Sequence, residues 1–260
     1  MELYTLHLFA GAGGGILGDI LLGHQPIGAV EIEAYPRKVL LQRQLDGCLP
    51  LFPLWDDVTT FRADNPYCAS FIERCRAIKD QLCICGGFPC QDISSAGRGA
   101  GIDGERSGLW REYARIIGEI RPRYIFAENS PLLTKRGIRT VLGKLAEMGY
   151  DAKWGVLGGV NTKSDTDGQR MWVAAKTPEV GWPEMVCGKT IQRTKPNRRP
   201  TANDDSCARL DRIRKLECMV GEPAILGGND GLAYRVDRLA AIGNGQIPAV
   251  ARLSWETLSR

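Results

Sequence analysis

The stretch Leu3-Tyr4-Thr5-Leu6-His7-Leu8-Phe9-Ala10-Gly11-Ala12-Gly13-Gly14-Gly15-Ile16-Leu17-Gly18 decides the reading of the fold. A short apolar run, Leu3 to Phe9, stops in a cluster of glycines, and Ile16 to Leu22 then reads as the start of a helix. Strand, glycine loop and helix in that order open an α/β unit, and the pattern repeats downstream. Ile27 to Ile32 is a second apolar run, and Leu82 to Cys85 a third, again followed by glycines. Leu109, Tyr113, Ile116, Ile117 and Ile120 recur at spacings of three and four, which places them on one helix face with Pro122 shortly after it. Tyr124 to Ala127 is a compact strand. Ile138, Val141, Leu142, Leu145 and Met148 form a second helix face, with Gly149 placed to end it, and Lys153 to Leu157 and Met171 to Ala175 complete the strands. Strands alternating with helices predict an α/β domain with a mostly parallel sheet.

Composition agrees with a folded domain. The chain has 260 residues, 43% hydrophobic and 25% charged, which excludes a collagen, a disordered tail and a coiled-coil rod. No run reaches the ~18 apolar residues of a membrane helix. Met1 to Tyr4 lacks the basic region of a signal peptide and is expected to be folded protein. A net charge of +4 is compatible with nucleic acid without requiring it. Nine cysteines with no CxxC pair point to a reducing compartment and to small buried thiols. With His7 and His24 the only histidines, no zinc site is expected. Beyond Lys176 the periodicity fades. Thr177 to Asp205 is rich in Pro, Gly, Asn and Thr, and Lys189 to Arg199 carries five basic residues and no acid. Regular structure is expected to return near Tyr234.

Five places carry residues suited to chemistry. The glycine loop after Phe9 lets a backbone approach a ligand at a helix N-terminus, and Gly13 to Gly18 satisfies GxGxxG. Glu31 follows at about the 20-residue offset of a ribose-binding carboxylate. That pattern supports a nucleoside cofactor, does not separate NAD from S-adenosylmethionine, and is also met in tight structural turns. Gly86-Gly87-Phe88-Pro89-Cys90-Gln91 puts a cysteine after a strand, where it is either a thiolate nucleophile or one more buried thiol. Glu128-Asn129-Ser130 follows Tyr124 to Ala127 and points a carboxylate into the same crevice, unless it caps a helix. Arg170 opens the last strand, and Gly243-Asn244-Gly245-Gln246-Ile247-Pro248 precedes a final helix.

In this order the blocks resemble the C5-cytosine DNA methyltransferases, over roughly residues 1–176 and 234–260. The Gly-Phe-Pro-Cys-Gln block, with Arg106-Ser107-Gly108-Leu109-Trp110 after it and Glu-Asn downstream, carries most of the weight. The resemblance implies a Rossmann-like, S-adenosyl-L-methionine-dependent methyltransferase fold. Its catalytic domain would comprise residues 1–176 plus 234–260, and a small target-recognition region residues 177–233. It implies Cys90 as the nucleophile, Glu128 as the acid at cytosine N3 and Arg170 as the residue at O2. It implies Phe9, Gly11, Gly13, Glu31, Ile32, Asp57, Val58, Pro89 and Asn244 as the cofactor-binding set. Lys189, Arg193, Lys195, Arg198 and Arg199 would contact DNA phosphates. The expected partner is double-stranded DNA, with no membrane, a monomeric state, and either a cognate restriction endonuclease or none. The expected location is the cytoplasm of a bacterial or phage-infected cell. The chain departs from the family pattern at His7, Ser130 and Gly168, where an acid, a valine and a second arginine are usual. Rival readings are a tRNA cytosine-5 methyltransferase of the same fold, an NAD-dependent oxidoreductase and a non-catalytic DNA-binding module.

Replacing Arg198 and Arg199 by Ala is expected to weaken DNA binding across sequences. It should also flatten the log-log salt slope by about two, one for each lost phosphate contact. An unchanged slope in a salt titration would remove this segment from the DNA backbone.

Overall fold

The computed structural model describes residues 2–89, 108–162, 168–179, 181–182 and 245–260. Cys90, Asn244, Lys189, Arg193, Lys195, Arg198 and Arg199 lie outside the described residues, as do most of 177–233 and the expected return of structure near Tyr234. Within them the chain runs β1 (Tyr4–Leu8), α1 (Gly14–Leu22), β2 (Gln25–Val30), α2 (Ala34–Leu45), β3 (Leu54–Trp55), α3 (Ala69–Ala77) and β4 (Leu82–Gly87). It continues through α4 (Leu109–Ile120), β5 (Tyr124–Asn129), α5 (Leu133–Arg136), α6 (Ile138–Glu147), β6 (Asp151–Leu157), β7 (Arg170–Lys176) and α7 (Pro248–Leu258).

The strands form one seven-stranded sheet in the order β3-β2-β1-β4-β5-β7-β6. Neighbours from β3 to β5 are parallel, and β7 lies antiparallel between β5 and β6. The mostly parallel α/β sheet read from the sequence is therefore present. From β1 the chain steps outward to β2 and β3, then crosses back to place β4 on the other side of β1. Strand order thus reverses between β1 and β4, and the crevice beyond their carboxyl ends is where open α/β sheets bind ligands.

Several boundaries differ from the sequence reading. Gly86 and Gly87 continue β4 because they pair with Ala127 and Glu128. Glu128 and Asn129 continue β5 because they pair with Trp172 and Met171. Helix α1 starts at Gly14, two residues before the first apolar residue of its pattern. The two-residue β3 and the helices α2 and α3 carried no sequence pattern strong enough to be read.

Layering follows strand alternation. Leu6, Leu8 and Ile84 face α3, α4 and α6, joining Ile72, Tyr113, Ile117, Val141 and Leu145 in the main core. Cys83, Cys85, Tyr124, Phe126 and Trp172 face the opposite side and pack with Val250, Ala251, Trp255 and Leu258 of α7. Helix α7 also lies along α1, where Gly18 admits the Ala251 methyl. Its first residue, Pro248, lacks an N–H that would go unpaired there, which suits a helix start. The 245–260 segment thus completes a layer begun by β1 and α1.

Trp255 is 1% exposed and meets the rings of His24, Tyr124, Phe126 and Trp182 at centroid distances of 5.5, 6.2, 5.3 and 6.0 Å. Trp255→Ala is expected to cost about 3–5 kcal/mol of unfolding free energy. Leu45→Ala, at a residue 79% exposed, should stay within about 0.5 kcal/mol. Denaturant titration of the two variants checks both.

Candidate active site

The loop between β1 and α1 is held from three sides. Phe9 adopts φ 55, a left-handed conformation that a bulky side chain rarely takes. Its ring stacks on Tyr113 at 6.3 Å, and the Ala10 N–H donates to the Val30 carbonyl at 3.1 Å. Gly11 donates its N–H to Glu31 Oε2 at 2.6 Å, while the Glu33 N–H donates to Glu31 Oε1 at 2.7 Å. Burial pushes the Glu31 carboxyl up from its ordinary value, and these two N–H groups pull the other way by favouring its charge. Ile32 beside it is 63% exposed, an apolar platform next to a buried carboxylate.

The second pole is Glu128, 8% exposed near the carboxyl end of β5. Arg170 Nε lies 3.1 Å from Glu128 Oε1. Gln246 Nε2 donates to Glu128 Oε2 at 3.2 Å. Burial pushes this carboxyl up to about 7, against the opposing pull of the Arg170 guanidinium and the Gln246 hydrogen bond. One residue on, Asn129 Nδ2 donates to the Phe88 carbonyl at 3.0 Å, which ties β5 to the segment leading into Pro89. Phe88 packs on Trp110 and Tyr113 at 5.2 and 6.3 Å.

One cleft joins the two poles. It runs from Phe9 and Gly11 past Gly86 and Gly87 to Glu128 and Gln246, with an empty volume of about 340 Å³ open to solvent. The structure therefore brings Phe9, Gly11 and Glu128 together, with Arg170 paired to the carboxylate. Gly13, Glu31, Ile32, Asp57, Val58, Pro89 and Arg170 lie outside the cleft lining. Asp57 Oδ1 accepts from the Thr59 N–H and hydroxyl, both at 2.8 Å. Val58 is a core residue, and its carbonyl takes a hydrogen bond from Arg115 Nη2 at 2.9 Å.

The GxGxxG glycines have a different use from the one their spacing implies. Gly14, Gly15 and Gly18 face Gln246, Pro248 and Ala251, so they admit the 245–260 segment, and Gly15 also lines the cleft. Gln246 and Asp19 are the residues that sequence reasoning passed over. Asp19 lies on the inner face of α1, 2.7 Å from His7 Nε2 and 3.1 Å from His24 Nδ1. Burial would raise its carboxyl, but the hydrogen bonds with His24 and His7 outweigh burial and hold it below the usual carboxylate range. His7, Asp19 and Cys85 place ligating atoms within 4.8 Å of one another. Two imidazoles already compensate that carboxylate. A lone acid at a period-3.6 buried position was the available signal for it, and only the fold pairs it with His7.

The profile of the C-5 cytosine-specific DNA methylase family matches residues 3–165. The chain belongs to that family, which is not a family of nicotinamide oxidoreductases. It is 33% identical over 159 residues to the Type II methyltransferase M.CviJI of Paramecium bursaria Chlorella virus IL3A, covering 59% of this chain and 38% of that protein. It is 33% identical over 157 residues to M.Eco47II of Escherichia coli, covering 57% and 33%. The chain thus spans about a third of the length of these curated relatives. Among solved structures, Entamoeba histolytica methyltransferase EhMeth aligns with a TM-score of 0.62 at 14% identity, covering 98% of this chain and 97% of that one. S. pombe Dnmt2 methyltransferase aligns at 0.60 and 13% identity, covering 98% and 99%. At these identities the likeness establishes the fold, a Rossmann-like methyltransferase sheet. No helix among the described residues is long and apolar enough to cross a membrane.

Glu128 also sets a pH dependence of stability. Its folded value, about 7, lies above the ordinary 4.5, so between those values the folded state keeps a proton that the unfolded chain releases. Its contribution is full below pH 4.5 and is lost as pH rises to 7. Relative to Glu128→Gln, the wild type is expected to lose up to roughly 3 kcal/mol over that window. Parallel denaturation of both proteins at pH 4.5 and 8 measures the difference, and a constant gap would mean that Glu128 ionises freely.

Proposed function

We propose that the protein is a DNA (cytosine-5-)-methyltransferase that uses S-adenosyl-L-methionine and acts on a cytosine turned out of duplex DNA. The observation that carries this reading is the joint placement of a buried carboxyl of raised pKa and the Phe9–Gly11 backbone along one cleft, with Arg170 paired to that carboxyl and Glu31 bonded to the Gly11 N–H. Family membership sets the chemistry to which that placement is suited.

The residues fit the cofactor. The open backbone at Gly11, where a Cβ would meet nothing within 4 Å, leaves room for close approach. Glu31 keeps free lone pairs on both oxygens for a ribose diol, and exposed Ile32 offers an apolar face to a purine. When bound, S-adenosyl-L-methionine supplies an electrophilic methyl group to cytosine C5 and leaves as S-adenosyl-L-homocysteine.

The chain supplies the rest. Cytosine C5 is a weak nucleophile, so a thiolate must first add to the ring. Cys90 forms the bond to C6, and electron density moves toward N3. Glu128 gives its proton to N3 as that charge develops. A carboxyl with a value about 7 is well matched to this task, since it holds its proton near neutral pH yet releases it readily. Arg170 faces the base oxygen O2 and balances the carboxylate that Glu128 becomes. After methylation a base removes the C5 proton, that electron pair forms the C5–C6 double bond, the Cys90–C6 bond breaks with its electrons leaving on sulfur, and N3 returns its proton to Glu128. A stacked cytosine cannot meet Cys90 and Glu128 together, so the base must leave the helix at a cost of a few kcal/mol. Residues 1–176 and 234–260 would form the catalytic domain, and 177–233 would read the DNA. The packing of α7 along α1 supports that division.

Base-resolution mapping of cytosine methylation in a methylation-free host tests the proposal. The wild type is expected to mark one short motif, and Cys90→Ala none. Methylation by Cys90→Ala refutes the nucleophile. A folded wild type that binds S-adenosyl-L-homocysteine but leaves DNA unmarked refutes the DNA substrate.

A further inference from the structure

We infer that Gln246 is a positioning residue for Glu128: its side chain fixes the carboxyl that serves the base, and the glycines at Gly14, Gly15 and Gly87 exist to let it do so. The inference rests on the proposed methyl transfer and names a residue to which that reading gave no role.

Three independent contacts converge on this side chain. Gln246 Nε2 donates to Glu128 Oε2 at 3.2 Å. A Cβ on Gly15 would overlap Gln246 Oε1, and one on Gly14 would overlap its backbone carbonyl oxygen. A Cβ on Gly87 would overlap Glu128 Oε2 and stand 3.1 Å from Gln246 Nε2. Neither helix α1 nor strand β4 gains from glycine at these places, since glycine weakens the interior of both kinds of element. What the glycines leave is a slot the width of one amide, closed by the carboxylate at its end.

The geometry also explains why an amide fits. Arg170 occupies Oε1 from β7. A second cation at Oε2 would favour the ionised form strongly and take the proton from the group meant to carry it. A neutral N–H donor orients the carboxyl and favours the ionised form less than a second full charge would. Among the described residues the other titratable group lining the cleft is His7 from β1, which is turned to Asp19. Position 246 is therefore where orientation can be set with the least change in charge.

The test uses the full-length protein with labelled glutamate carboxyls, the Glu128 signal being identified by its loss in Glu128→Gln. In the wild type its titration midpoint is expected at about 7. Gln246→Leu removes the hydrogen bond and should raise the midpoint by about one pH unit. Gln246→Glu keeps the size but must share a proton with Glu128, so the two carboxyls should titrate as a coupled pair. Methyl transfer by Gln246→Leu should fall on the order of 10- to 100-fold in kcat. Gln246→Glu should keep its activity at low pH and lose it as the pair ionises. Gly15→Ala, which pushes the Gln246 side chain aside without touching Glu128, should copy the Leu variant.

A residue that merely fills space would give a pH-independent loss and an unmoved midpoint in both variants, and that result overturns the positioning role. Wild-type transfer with unmoved midpoints overturns this inference alone. A moved midpoint in a wild type that transfers no methyl group overturns the proposed function and leaves the hydrogen bond standing.

Discussion

Keeping a carboxyl dry near the end of a strand is the constraint around which this molecule is arranged. Glu128 is withdrawn from water, and burial alone would push its carboxyl further up than the value of about 7 it reaches with its partners. Its usefulness depends on partial compensation, strong enough to allow ionisation and weak enough not to enforce it. Two elements supply that compensation, and neither is local in sequence. One is β7, whose antiparallel insertion between β5 and β6 brings Arg170 beside Oε1. The other is the segment before α7, which returns across α1 to bring Gln246 to Oε2. The order of the sheet and the discontinuity of the catalytic layer both serve this one group.

Three buried carboxylates show how differently the same problem is solved. Glu31 is met by backbone N–H groups of Gly11 and Glu33, which favour its charge. Asp19 is met by two imidazoles and is held firmly ionised inside the core. Glu128 is met by one guanidinium and one amide, and is left near the middle of its titration at neutral pH. The carboxylate proposed to bind, the one that braces and the one proposed to exchange a proton are set apart by their partners. Such a division is what separates the roles of chemically identical groups in one site.

The sheet was legible because its central strands are dense and its helix faces periodic. Leu82 to Cys85 and Tyr124 to Ala127 are uninterrupted apolar runs, as strands buried on both faces must be. The face of α4 shows the spacing of a helix laid on a sheet. The strand ends were less legible, since Gly86, Gly87, Glu128 and Asn129 have no strand character and owe their state to pairing with neighbours. β3 was invisible because two residues carry no pattern, and α2 because its exposed leucines blur its face. At the site, Glu128 and Arg170 could be named from block order, but not their mutual contact. Sequence spacing cannot show that Gln246 occupies the space beside the first glycines of α1. Asp19 escaped notice for the same reason, as its partners come from β1 and from the turn after α1.

The distance along the chain between Glu128 and Gln246 is 118 residues. On a ribosome adding roughly 5–20 residues per second, about ten seconds separate the emergence of the acid from that of its amide partner. During that interval the parallel strands have all they need to pair, while the slot beside α1 stands open and Glu128 lacks one of its two restraints. Closing so long a loop comes late in folding, because its entropy must be met before the contact returns anything. The sheet is thus free to form before the proton-handling group is set. A nascent chain would carry a paired sheet with the face under α7 still uncovered and Glu128 still without its Gln246 partner.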